Sequence, residues 1–321
     1  MSSHPKILVC GGSGIGKTSL IMTTPEQGKK SLLLSMEGGT ASIEGPKTRH
    51  LFLDEEKPRM ALGSDIAKEA GRPYAEDFDE EQYEGIVVHI DGIAELEDVL
   101  SWIAPSFSIA DEGEPYSIQR KQKMNDYFGF SFEDKFKGWT IGLDSYSKAA
   151  TLLFQRAERK ERAKTKKGGA ENGFAKYGNA KNDALWLVDN FVERYDGPII
   201  MLALTEEKVN EALGFNQTFI QSFSRAAAGR VAPSFNQVFY MGLGSYEQRD
   251  DEGVVTDVQE FRYLRTAKTD DETKPGFGLE LKDRSHTLKD IEAPDMSTVF
   301  GKIYSGKKTK KIVRQLPPGL Q

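Results

Sequence analysis

The chain has 321 residues, 43 Lys and Arg against 49 Asp and Glu for a formal charge of −6, and a single cysteine. That length can bury a sizeable core. The acidic balance excludes a globally basic nucleic-acid coat but not a local basic groove, and one cysteine excludes a disulfide framework or a multi-cysteine zinc site. No stretch reaches the roughly 18 apolar residues of a membrane span, and residues 1–10 lack a signal-peptide core, so a soluble, cytoplasmic α/β protein with no membrane contact is expected.

Lys6-Ile7-Leu8-Val9-Cys10 is a short apolar run that predicts a buried strand. Gly11-Gly12-Ser13-Gly14-Ile15-Gly16-Lys17-Thr18 follows at once, and Ser19-Leu20-Ile21-Met22 opens a helix. This is G-x-x-x-x-G-K-T in its strand–loop–helix setting. The glycines let consecutive backbone N–H groups turn inward as a phosphate nest. Lys17 is expected to reach the β/γ-phosphates and the Thr18 hydroxyl to ligate Mg²⁺. Cys10 reads as a small buried hydrophobe.

A second strand, 31–36, leads into Glu37 and Gly38-Gly39-Thr40. A carboxylate at the C-terminal end of a strand faces the ligand crevice of an open α/β sheet, which makes Glu37 the candidate for polarising the attacking water. Further strands are expected near 49–53, 85–90, 139–144 and 198–204. Two of them end in an aspartate that can hold Mg²⁺: Asp91 after 86–90 and Asp144 after 139–143. Asp144, followed by Ser145 and a helix from about Lys148, is the favoured one, while Asp91 suits the N-cap region of the amphipathic helix behind it. Thr205 stands after the last of these strands, where a polar residue can sense the γ-phosphate or simply begin a loop.

The helix at 183–195 carries Ala184, Leu185, Val188, Phe191, Val192 and Tyr195 on one face. Segments 235–243, 256–265 and 278–283 alternate and predict an antiparallel extension at one edge of a mostly parallel sheet flanked by helices. One domain over 1–300 is expected, interrupted near 54–84 (acidic), 105–138 and 156–181, with a basic, flexible tail at 301–321. The 156–181 stretch holds Lys164, Lys166 and Lys167 beside Phe174 and Tyr177 and reads as a Gly-rich loop able to pair phosphates and stack bases. A solvated charged face is the alternative.

The succession of Gly11–Thr18, Glu37-Gly38-Gly39-Thr40, Trp139–Ser145, Ile199–Glu207 and Lys282-Asp283-Arg284 resembles the phage-encoded RecA/Rad51-like ATPases of the Sak4 type, which anneal or recombine single strands. The likeness covers most of residues 5–300. It implies a RecA-like core that self-assembles on single-stranded DNA with ATP at the subunit interface. In that scheme Lys17, Glu37 and Asp144 are catalytic, Arg284 (with Lys282) reaches a neighbour's γ-phosphate, and Gly11 to Ser19 hold the nucleotide. Arg225 and Arg230 lie where such proteins place a DNA-binding loop, a loop closing over the nucleotide being the competing use. The chain departs from the pattern at Glu206-Glu207-Lys208, where the family often has a histidine. Phage or host replication and recombination proteins are implied partners, and the host cytoplasm the implied location. The competing readings are an ATP-dependent switch or loader acting on a protein partner, and a small-molecule or nucleotide kinase. A signalling GTPase is excluded by the lack of an Asn-Lys-x-Asp motif.

Overall fold

All six residues of β1 (Lys6–Gly11) are buried, because side chains alternate between two covered faces. Ile7 and Val9 join Leu20, Ile21, Leu33, Ile200 and Leu202 on one side, while Leu8 and Cys10 join Leu32, Leu34, Ile141, Met201 and Ala203 on the other. The computed structural model describes residues 4–24, 30–37, 43, 48–53, 79–104, 113–166, 173–210, 215–250, 253–267 and 279–307.

The remaining strands are β2 (Ser31–Ser35), β3 (Thr48–Phe52), β4 (Gly85–His89), β5 (Thr140–Asp144), β6 (Ile199–Asn210), β7 (Phe215–Ile220), β8 (Gln237–Arg249), β9 (Val255–Arg265), β10 (Lys282–Asp283) and β11 (Ile291–Glu292). They follow the order β11-β9-β8-β1-β6-β5-β2-β4-β3, with β10 on β8 and β7 on β6. From β8 through β1 to β3 every neighbour is parallel, whereas β9, β10 and β11 pair antiparallel. The fold is thus a RecA-like α/β P-loop architecture with the antiparallel extension that the alternation of 235–283 predicts.

One face carries α1 (Lys17–Ile21) and α8 (Met296–Ser305), whose Met296, Val299 and Phe300 pack with Leu20 and Ile21. The other carries α2 (Ile93–Ile103), α3 (Gly113–Phe128), α4 (Phe132–Phe136), α5 (Tyr146–Lys166) and α6 (Gly173–Arg194). A short helix, α7 (Arg225–Val231), is capped by the Ser224 hydroxyl, which accepts from the Ala227 amide.

Three sequence expectations change here. The expected interruption at 105–138 supplies core: Met124, Phe128, Phe130, Phe132 and Phe136 are buried, and Trp102 stacks on Phe128 with ring centroids 4.4 Å apart and meets Phe132 and Phe136 edge-on. The stretch from 156 to 181 is mostly helical. Tyr146, Ala149, Ala150, Leu153 and Ala157 bury one face of α5, and Ala180 and Ala184 extend the buried face of α6. Ala, Lys, Arg and Glu favour helix wherever such a face has a partner. The expected flexible tail does not start at 301, since Gly301–Ser305 complete α8, which ends at Gly306 in a left-handed C-cap. Of the acidic 54–84 segment, 54–78 lie outside the described residues, as do 167–172 and 308–321. No helix among the described residues is long and apolar enough to cross a membrane.

Candidate active site

The loop between β1 and α1 depends on glycine at three places. Gly14 and Gly16 adopt φ of 74° and 90°, a left-handed region that side chains rarely enter. At Gly11 a Cβ would stand 2.6 Å from the Met241 carbonyl oxygen, because β8 passes close beside the strand end. Lys17 then folds back over the loop, its Nζ donating to the carbonyls of Gly11 (3.1 Å) and Gly12 (2.5 Å). Burial holds its pKa below the usual lysine range, against the pull of Asp144, Glu37 and Cys10. The Cys10 thiol is pushed up to about 12 by burial, which makes it an inert packing group.

Strand order brings two carboxylates to this loop. Ser35 of β2 pairs with Asp144 of β5, so the ends of both strands lie side by side. The Thr18 hydroxyl donates to Asp144 Oδ2 at 2.6 Å. The Ser145 hydroxyl donates to Glu37 Oε1, and the chain enters α5 through a cis Asp144–Ser145 peptide. Asp144 is 4% exposed. Burial raises its pKa, the Thr18 bond opposes that, Glu37 adds to it and Lys17 counters it. A hydroxyl and a buried carboxylate form a hard oxygen donor pair that suits Mg²⁺. No group of three His, Cys, Asp or Glu placed to hold a metal ion occurs among the described residues, and Mg²⁺ characteristically takes its other ligands from waters and substrate phosphates. Asp91 is exposed at the end of β4, two strands from Asp144, with its amide donating to Glu95 Oε2 at 2.7 Å. Position, not composition, separates the two aspartates.

The other predicted residues sit elsewhere. Thr205 is not a strand end: β6 continues through Asn210 and pairs with β7, Thr205 opposite Ile220. Lys282 and Asp283 pair with Val238 and Gln237, and Gln237 is in register with Ile7 of β1. Exposed Arg284, whose amide donates to the Asn236 carbonyl, therefore lies across β8 from the end of β1 away from the phosphate loop, roughly 17 Å of strand from Gly11. Asp283 organises the turn, accepting from the amides of Ser285, Thr287 and Leu288.

Arg225 and Arg230 are exposed on α7, with the Arg225 guanidinium 5.2 Å from the Phe219 ring centre. Lys164 pairs with Glu161 at 2.6 Å, while Lys167 and the Lys166 side chain lie outside the described residues. Phe154 of α5 lies 4.9 Å from Tyr177 of α6 and 5.5 Å from Phe223, which follows β7, and Lys176 lies 5.9 Å from the Phe154 ring. The two candidate DNA segments thus share one aromatic and basic patch. Phe154, Phe223 and Lys176 carry no motif, and only the tertiary arrangement reveals them. Nor does a motif mark Arg262 of β9, whose guanidinium rests against Gly16.

A family model described as an AAA domain matches residues 3–275. No curated protein matches the chain. Among solved structures, an ATPase from the type III secretion system of pathogenic bacteria aligns at 14% identity with a TM-score of 0.33, over 75% of this chain and 51% of that one. The chain thus spans about half the length of that ATPase.

Proposed function

The chain belongs to the AAA domain family of ATP-hydrolysing P-loop enzymes, and from that premise we propose a Mg²⁺-dependent ATPase coupled to single-stranded DNA, of the phage RecA/Rad51-like Sak4 type. The observation that carries the DNA half is the patch of Phe154, Tyr177, Phe223, Lys176, Phe219 and Arg225, drawn from α5, α6 and the β7–α7 segment. Tyr177 is exposed and the three phenylalanine rings are half-buried; rings at a surface beside cations offer stacking and phosphate pairing without reading sequence.

In this reading the loop amides, Gly11 to Ser19, cradle the phosphates, and Lys17 exchanges its two loop carbonyls for phosphate oxygens. Thr18 and Asp144 hold Mg²⁺, which supplies charge neutralisation at the transferring phosphate when bound. Glu37 orients the attacking water and receives its proton. Ser145, bonded to Glu37 Oε1, fixes the direction of that carboxylate. Arg284, at the far end of β8 within its own chain, serves a neighbouring subunit's nucleotide, which makes the active form a homo-oligomer in the bacterial cytoplasm, working with replication or recombination proteins.

Steady-state ATP hydrolysis with and without single-stranded DNA tests the proposal, with Lys17→Ala as the blank. Stimulation by DNA that fades as salt rises, and weakens in Phe223→Ala and Arg225→Ala, is the expected result. Turnover indifferent to DNA, with no DNA retained at low salt, would favour the switch or loader acting on a protein partner.

A further inference from the structure

Arg262 owes its position to the β8–β9 ribbon. It stands opposite Leu243, and two residues along the strand Leu264 is buried in the cluster that holds Leu20 and Ile21. Alternation along β9 therefore sends both side chains to the α1 face, Leu264 into the core and Arg262 one step out, at the rim of the phosphate loop. There the guanidinium fills the space a side chain on residue 16 would need: a Cβ built on Gly16 would lie 3.3 Å from Arg262 Cζ and 3.4 Å from Nε and Nη1.

The residue is otherwise exposed, and no carboxylate of the described residues pairs with it. A long, flexible cation with water available on most sides has no electrostatic reason to lie on a glycine backbone. An arginine's planar fork does have a use beside a phosphate chain, where it can donate two parallel hydrogen bonds. The loop already carries one cation, Lys17, on the side of Asp144 and Glu37. Arg262 adds a second from a different strand.

We propose that Arg262 is a nucleotide-binding residue acting in cis, its guanidinium pairing with the phosphate chain from the β9 side. The inference rests on the nucleotide-binding reading of the loop and adds a residue to it. It also gives the ribbon a task beyond closing the sheet edge, since the register of β8 on β9 sets where the guanidinium falls.

The test is calorimetric titration of the full chain with Mg²⁺–ATP and Mg²⁺–ADP, for wild type, Arg262→Met, Arg262→Ala and Arg262→Lys, each first checked for an unchanged unfolding temperature. Methionine keeps a long apolar stem against Gly16 and removes the charge. Charge-assisted bonds of this kind predict Kd values raised about 10-fold or more in Met and Ala alike, with Lys recovering part of the loss. A Met variant that binds within twofold of wild type would reduce Arg262 to a packing residue and overturn the inference while the nucleotide site stands. A wild-type chain that binds neither nucleotide would overturn both. Should the Ala variant lose fold stability, the Met and Lys pair alone decides.

Discussion

Two buried groups of charges invite comparison. Between α2, α3, α5 and α6, Glu97 meets Arg120 at 3.0 Å and Arg156 at 2.5 Å. Asp98 meets Arg120 at 2.9 Å and Lys123 at 2.5 Å, and Asp183 meets Arg156 at 3.0 Å. Three carboxylates face three cations. At the phosphate loop two carboxylates, Asp144 and Glu37, face one lysine, and that lysine bonds to backbone carbonyls instead. A balanced cluster completes itself and holds helices together. An unbalanced one keeps its donors and acceptors for something that arrives, and in a low-dielectric setting such groups are the mark of a working site.

Breaking the balanced cluster should have the largest consequence for folding. Glu97→Gln removes the carboxylate that Arg120 and Arg156 share, leaving each with one partner, Asp98 or Asp183, and the expected loss is about 3 kcal/mol of stability, read by urea denaturation. Hydrolysis per folded molecule should stay near wild type. The unbalanced cluster should respond in the opposite way. Glu37→Gln is expected to slow ATP hydrolysis about 100-fold while nucleotide affinity and unfolding midpoint change little, as measured by turnover, titration and melting. A variant that loses stability instead would place Glu37 in the scaffold.

A third buried polar pair sharpens the contrast because it carries no charge. His50 Nδ1 and His89 Nε2 lie 3.0 Å apart, and His89 stacks on Phe52 at 4.3 Å. Burial, then the neighbouring His50, depress the His89 pKa to about 4, against a smaller opposing effect of Asp91. The neutral ring is favoured in the fold, so its contribution is complete above about pH 6.5 and fades as pH falls toward 4, by about 2 kcal/mol at pH 5. Melting curves at pH 7 and pH 5 should show a smaller acid-induced drop in His89→Gln than in wild type.

Much of this was legible in the sequence, and the pattern of success is physical. Apolar runs marked the first five strands to within a residue at each end, 6–10 for β1 (Lys6–Gly11) and 139–144 for β5 (Thr140–Asp144), because strands buried on both faces read as continuous apolar runs. The loop motif is read directly from the sequence, and of the two strand-ending aspartates Asp144 is the one the fold sets beside Thr18. What failed was nonlocal. A charge run next to Gly168-Gly169 looked like a loop because the sequence does not show which helix face finds a partner. The extension of β6 past Thr205 depends on β7, which only pairing creates. Arg262 had no signal at all, since cross-strand register decides which strand residue meets the loop.

The docking of α8 has a practical corollary. Its first amide, on Met296, donates to the Thr23 hydroxyl just past α1, and Met296, Val299 and Phe300 cover Leu20 and Ile21 from behind. The AAA match stops at residue 275. A fragment trimmed to that boundary would strip three large apolar side chains off the back of the phosphate-loop helix, each worth about 1.5–3 kcal/mol when buried. The working unit of this ATPase is longer than its family signature, and its last helix is the floor on which the first one stands.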